Sequence, residues 1–115
     1  MSEEKNLIDR ICDFISEVDA ELGVEKAYIF GSTAKGKRLK ESDVDIIIVS
    51  KSFKKMPLLK RLGKLQRLWR HREELQALTY TPEEFEKAKD RLMMQEILSY
   101  AVELAPSTTP YPPSS

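Results

Sequence analysis

The sequence predicts an α/β (α+β) domain: a small mixed β-sheet of about three strands with helices packed around it. Three observations point there. An apolar stripe recurs at helical spacing near the N-terminus, a β-branched run fills residues 44–49, and a second helical stripe follows Pro57. Helix, strand, short helix, strand, helix, strand and helix follow one another, the order of a sheet covered by helices.

Leu7, Ile8, Ile11, Cys12, Ile15, Val18 and Leu22 line one side of a helix of about five turns, which Gly23 ends. Ala27-Tyr28-Ile29-Phe30 is a short buried strand that stops at Gly31. Ser32 is placed to cap a brief helical turn ending near Gly36, and Lys37 to Ser42 form a polar loop. Val44 to Val49 is apolar on both faces, the mark of a strand central in its sheet.

Pro57 opens a helix whose stripe is Leu58, Leu59, Leu62, Leu65, Leu68 and Trp69. A weaker third strand runs from about Glu74 to Tyr80. Thr81-Pro82-Glu83-Glu84 then starts the last helix, with Thr81 as cap, proline first and Glu84 reaching back. That helix carries Phe85, Ala88, Leu92, Met93, Ile97, Leu98, Ala101 and Leu104, with a break near Met93. Residues 106–115 hold four prolines and little to bury, so they are expected to be a disordered tail outside a domain of residues 1–105.

A chain of 115 residues holds one small core. Nineteen basic residues balance nineteen acidic ones, so net charge predicts neither nucleic acid nor membrane as a partner. The basic residues are concentrated in 35–40 and 51–72, the second run being the solvated face of a helix. Cys12 is the single cysteine and is expected in the core; it excludes an internal disulfide and fits a reducing compartment. No apolar run reaches the roughly 18 residues of a membrane span, and the first five residues do not resemble a signal peptide. A cytoplasmic protein is expected. Trp69 completes an apolar stripe and is a core residue; His71 sits among charges with no nucleophile nearby and is assigned no catalysis.

Two short motifs carry the chemistry. Asp43 and Asp45, two apart on a strand, point to the same face. Held side by side they repel, and a Mg²⁺ ion bound by both would remove that cost. Gly31-Ser32 sits at the end of the preceding strand, where glycine lets backbone approach a ligand and the following N–H groups can bind anionic oxygen. Each motif alone is compatible with an ordinary turn or strand entry. Together they present a phosphate-binding turn beside a metal-binding pair. Lys35, Lys37, Arg38 and Lys40 lie in the connecting loop, either solvated like most basic loop residues or, Lys35 first among them, reaching triphosphate oxygens.

Gly31-Ser32-x-Ala34-x-Gly36, followed by Ser42-Asp43-x-Asp45, resembles the signature of the DNA polymerase β-like nucleotidyltransferase superfamily, in its minimal form. The resemblance covers roughly residues 24–85. It implies the polymerase β catalytic core-like fold, with Mg²⁺ or Mn²⁺ held by Asp43 and Asp45. Gly31 and Ser32 would hold the phosphates of ATP or another nucleoside triphosphate. It also implies a reaction: an acceptor hydroxyl attacks the α-phosphate and pyrophosphate leaves. Members of this size often pair with a small helical HEPN protein as toxin and antitoxin, and some transfer AMP to a hydroxyl of that toxin.

The superfamily supplies a third carboxylate from the next strand, and the matching position here is Gln76; Glu74 lies two residues earlier on the same face. Glutamine is uncharged and a poor proton acceptor. Two readings therefore stand: a protein-modifying AMP transferase, or a degenerate fold that neutralises a helical partner by direct contact. Self-association is left open by the apolar helices of so short a domain.

Overall fold

In the computed structural model, residues 7–31 and 43–104 are described. The first helix, α1 (Leu7–Leu22), buries Ile11, Phe14, Ile15 and Val18, the predicted stripe. Gly23 ends it with φ 82°, a conformation that costs glycine little, and its N–H donates to the Asp19 carbonyl at 2.8 Å. Cys12 is half-buried rather than a core residue. Burial and, secondarily, the neighbouring Asp9 and Asp13 push its thiol up.

Four strands form the sheet: β1 (Lys26–Phe30), β2 (Val44–Val49), β3 (Leu75–Tyr80) and β4 (Val102–Leu104), in the order β3-β2-β1-β4. The fourth corrects the expected count of three. Strand β2 is interior, as its two apolar faces require, and it is antiparallel to β1 but parallel to β3. A parallel pair needs a crossover, supplied here by a 3₁₀ turn (Lys51–Lys55) and helix α2 (Leu58–Leu68).

Alternation along the strands divides the core in two. On one face Ala27, Ile29, Val44, Ile46, Ile48 and Leu75 meet α1, Phe53, Leu65 and Trp69. On the other, Ile47 and Val49 meet Phe85, Ala88 and Met94, with Tyr28, Phe30, Leu78 and Tyr80 packed at the margin. Trp69 is a core residue, edge-on to Phe14 at 5.1 Å, and its indole N–H donates to the Glu73 carbonyl.

Helix α2 departs from its expected stripe. Leu58 and Leu59 are exposed, and Arg61 turns inward beside Leu65. So the basic run is not all solvated face. The Arg61 guanidinium donates to the carbonyls of Met56, Phe53 and Thr79 and forks onto the Glu84 carboxylate. Backbone parity explains part of this. Glu74 and Tyr80 direct their carbonyls toward β2, so those of Leu75 and Thr79 face the open edge of β3. Gln66 and Arg61 donate to these two, covering an edge that would otherwise attract another strand.

The expected last helix is two helices. Thr81 and Glu84 form the predicted capping box of α3 (Pro82–Ala88), and a tight turn at residues 89–91 leads into α4 (Leu92–Tyr100). The break thus precedes Met93. A continuous helix through Phe85 and Ala88 would carry Leu92 round to the sheet. The turn resets the phase, exposing Leu92 and Met93 and burying Met94. Ala101 and Leu104, expected in that helix, leave it: the chain extends after Tyr100 and β4 pairs with β1 (Ala27 with Leu104, Ile29 with Val102). Among the described residues no helix is long and apolar enough to cross a membrane. The tail of residues 106–115 lies outside the described residues.

Candidate active site

The second face of β2 reads Asp45, Ile47, Val49 from its N-terminal end. Val49 and Ile47 are buried under α3 and α4, and Asp45 is only half-buried, where that cover ends. Register then fixes its neighbours. Asp45 pairs with Phe30 on β1 and with Gln76 on β3, so the three form one row across the sheet. One step outward Asp43 is exposed at the strand entry, opposite Glu74, whose carbonyl accepts the Val44 N–H at 2.8 Å. Val44 is fully buried on the other face, so Asp43 and Asp45 share this one.

Gly31 follows Phe30 with φ 77°. A Cβ at this residue would collide with Oδ2 of Asp45 and lie 3.1 Å from its Cγ. The glycine is therefore required twice, by its backbone conformation and by the carboxylate pressed against it. The bend and the acid meet, as their proximity in sequence predicts.

Burial raises the Asp45 carboxyl above the ordinary aspartate range, and the charge of Asp43 adds to the shift. Among the described residues neither carboxylate lies in an ion pair. Two negative groups, one of them partly desolvated, therefore repel, and among the described residues no cation pairs with either. Hard oxygen donors in that state have the chemistry a divalent cation takes.

The remaining candidates separate. Ser32 and Lys35, with the expected turn up to Gly36 and the loop after it, lie outside the described residues. Gln76 is exposed beside Asp45, so the register puts an amide, not a carboxylate, in the row. Glu74 is exposed one step away. Among the described residues no three His, Cys, Asp or Glu side chains converge to hold a metal. His71 lies elsewhere, edge-on to Trp69. Phe30 is the neighbour that sequence reasoning did not single out; strand alternation from Tyr28 was the signal that puts it on this face.

The sequence model of the family described as "Nucleotidyltransferase domain" matches residues 11–108. No curated protein matches in sequence. Two solved structures are similar in fold. A candidate nucleotidyltransferase from Sulfolobus solfataricus superposes with TM-score 0.60 at 24% identity, covering 95% of each chain. BolA1 from Arabidopsis thaliana superposes with TM-score 0.54 at 24% identity, over 70% of this chain and 98% of that one. The first likeness spans the whole domain and the second only part of it.

Proposed function

The chain belongs to the nucleotidyltransferase domain family, and from that premise we propose that it transfers AMP from ATP to a hydroxyl of a small helical partner protein. The partner reading, with this chain as the antitoxin of a HEPN-type toxin, rests on the resemblance of the Gly31-to-Asp45 segment to minimal members of the superfamily. The observation that carries the reaction is the seating of Gly31 directly against the Asp45 carboxylate.

Asp43 and Asp45 would hold Mg²⁺, or Mn²⁺ in its place, and the ion would neutralise charge on the triphosphate and the leaving pyrophosphate. The chain's own residues do the rest. Gly31 makes the bend and leaves room for the Asp45 carboxylate, and Ser32 and Lys35 are the donors the motif supplies beyond it. The acceptor oxygen attacks the α-phosphorus, the bond to the bridging oxygen breaks, and pyrophosphate departs.

The test is incubation with α-labelled ATP, Mg²⁺ and the protein encoded beside this one. Label is expected on the partner, and Asp43→Asn is expected to abolish it. Label that never reaches the partner overturns the proposal.

The amide of Gln76 in the Asp45 row favours one second reading, a chain that binds nucleotide and partner without turnover. Under it an Asp43→Asn/Asp45→Asn double variant neutralises the partner as well as the parent does.

A further inference from the structure

We propose that the outer face of helix α2 is a docking seat for an acidic, amphipathic helix of the partner protein. This rests on the partner named in the function above, but not on AMP transfer to it. Helical geometry sets Arg61 and Leu65 on the buried side of α2. Leu59, Gly63 and Arg67, each one turn from the next, fall on the opposite side and are exposed. Leu59 is 83% exposed, and Leu58 beside it in the first turn 58%. A Cβ on Gly63 would meet nothing within 4 Å. The row is therefore an apolar knob followed by a gap. A partner side chain enters such a gap when helices pack, and the missing side chain lets the two axes approach to about 8 Å. An interior helix glycine and a solvated leucine both cost stability, and among the described residues the fold makes no use of either.

The rim of this row is positive. Lys55 and Lys60 flank the leucines and Arg67 closes the row, and none of the three has an ion pair among the described residues. Their neighbours are already used: Lys64 on Glu21 at 3.8 Å, Arg70 on Glu17 at 3.2 Å, and the Gln66 amide on the Leu75 carbonyl. Beside Arg67 the surface opens into a cavity of about 200 Å³, lined also by Glu21, Lys64, Leu68 and Arg70. Three cations there face one acid, a field that draws in a carboxylate.

The occupant must then carry acidic side chains around an apolar stripe. A second copy would bring the same cations to the same place across a twofold axis, and they would repel. A bilayer uses the leucines and the cations but not the gap. A protein helix uses all three. The seat lies on the α1 face of the sheet, opposite Asp45, so its occupant leaves the acidic pair open. Helix α2 also runs toward the start of β3, the end of the sheet that holds Asp45.

The experiment measures calorimetric affinity for the protein encoded beside this one, together with Mg-ATP affinity and melting temperature. Leu59→Glu is expected to weaken partner binding about 10²-fold and Arg67→Glu about tenfold. Gly63→Leu should also weaken it about tenfold, yet melt no lower than the parent, because leucine is the better helix former and meets open space. Mg-ATP affinity is expected to stay within about twofold in all three variants, the seat being remote from Asp45. Unchanged partner affinity in Leu59→Glu and Gly63→Leu overturns the seat and leaves the function above standing. A parent that binds through these residues but passes no label upholds the seat and overturns the transfer. A parent that does not bind the partner overturns both. Sedimentation of the parent, alone and with phosphatidylserine–phosphatidylcholine vesicles, tests the other occupants. Self-association or vesicle binding that Leu59→Glu abolishes overturns the assignment to a protein helix.

Discussion

The two ends of the central strand treat charge in opposite ways. At the C-terminal end of β2 and β3, every donor of Arg61 is used inside the molecule, on three carbonyls and the Glu84 carboxylate. Glu84 also accepts from the Thr81 N–H and closes the capping box. At the N-terminal end, Asp45 is pressed against Gly31 and repelled by Asp43, and neither acid has an ion pair among the described residues. One end is complete as folded. At the other, among the described residues, the repulsion between two carboxylates is left standing.

Four changes sharpen this contrast. Arg61→Met has the largest effect. It strips three carbonyls and a carboxylate of their donor, and the partial exposure of Glu84 moderates the loss, so denaturant unfolding should show about 2–3 kcal/mol less stability. Gly31→Ala follows, at about 1–2 kcal/mol for the positive φ alone, with Asp45 displaced by the new methyl group. It is expected to abolish Mg-ATP binding in calorimetry, which Arg61→Met, at the far end, leaves intact in the folded fraction.

Asp45→Asn should act in the other direction. It removes a repulsive, partly desolvated charge, so thermal unfolding without metal should occur at a higher temperature than in the parent. The rise in melting temperature that Mg-ATP gives the parent should disappear. A lower melting temperature for Asp45→Asn without metal would mean that the carboxylate is compensated after all.

The smallest effect is a pH dependence of opposite sign at the two ends. The Asp45 carboxyl is raised, so the native state holds more protons than the unfolded chain above the ordinary aspartate range. Stability therefore falls as pH rises toward the raised value and is flat beyond it. The Glu84 carboxyl is lowered by its hydrogen bonds from Arg61, with the Thr81 N–H helping against burial. Its contribution is present above the ordinary glutamate range and is lost as pH falls through the lowered value. Unfolding curves across acid pH should lose the first component in Asp45→Asn and the second in Glu84→Gln.

Much of this was legible in the sequence because local chemistry dictates it. The α1 stripe, the apolar β2, the Thr81-Pro82-Glu83-Glu84 cap and the Gly31/Asp45 pairing all follow from periodicity or from residues close along the chain. The β4 strand was not legible: three residues after a helix extend its apolar pattern, and only the free edge of β1 makes them a strand. Nor was the inward turn of Arg61. It looks like any solvated lysine or arginine until the Leu75 and Thr79 carbonyls need covering. The phase reset between α3 and α4 likewise depends on which residues the sheet below can accept.

The sequence by itself determined α1, β1, β2, the start of α3, the acidic pair and the glycine bend, because each arises from backbone preferences and spacings within a few residues. Tertiary structure alone decided the parallel register that sets Gln76 beside Asp45 and Glu74 beside Asp43. It also decided which carboxylate is desolvated. Those depend on contacts between segments some thirty residues apart, and a one-residue slip would have reversed every side chain on β3.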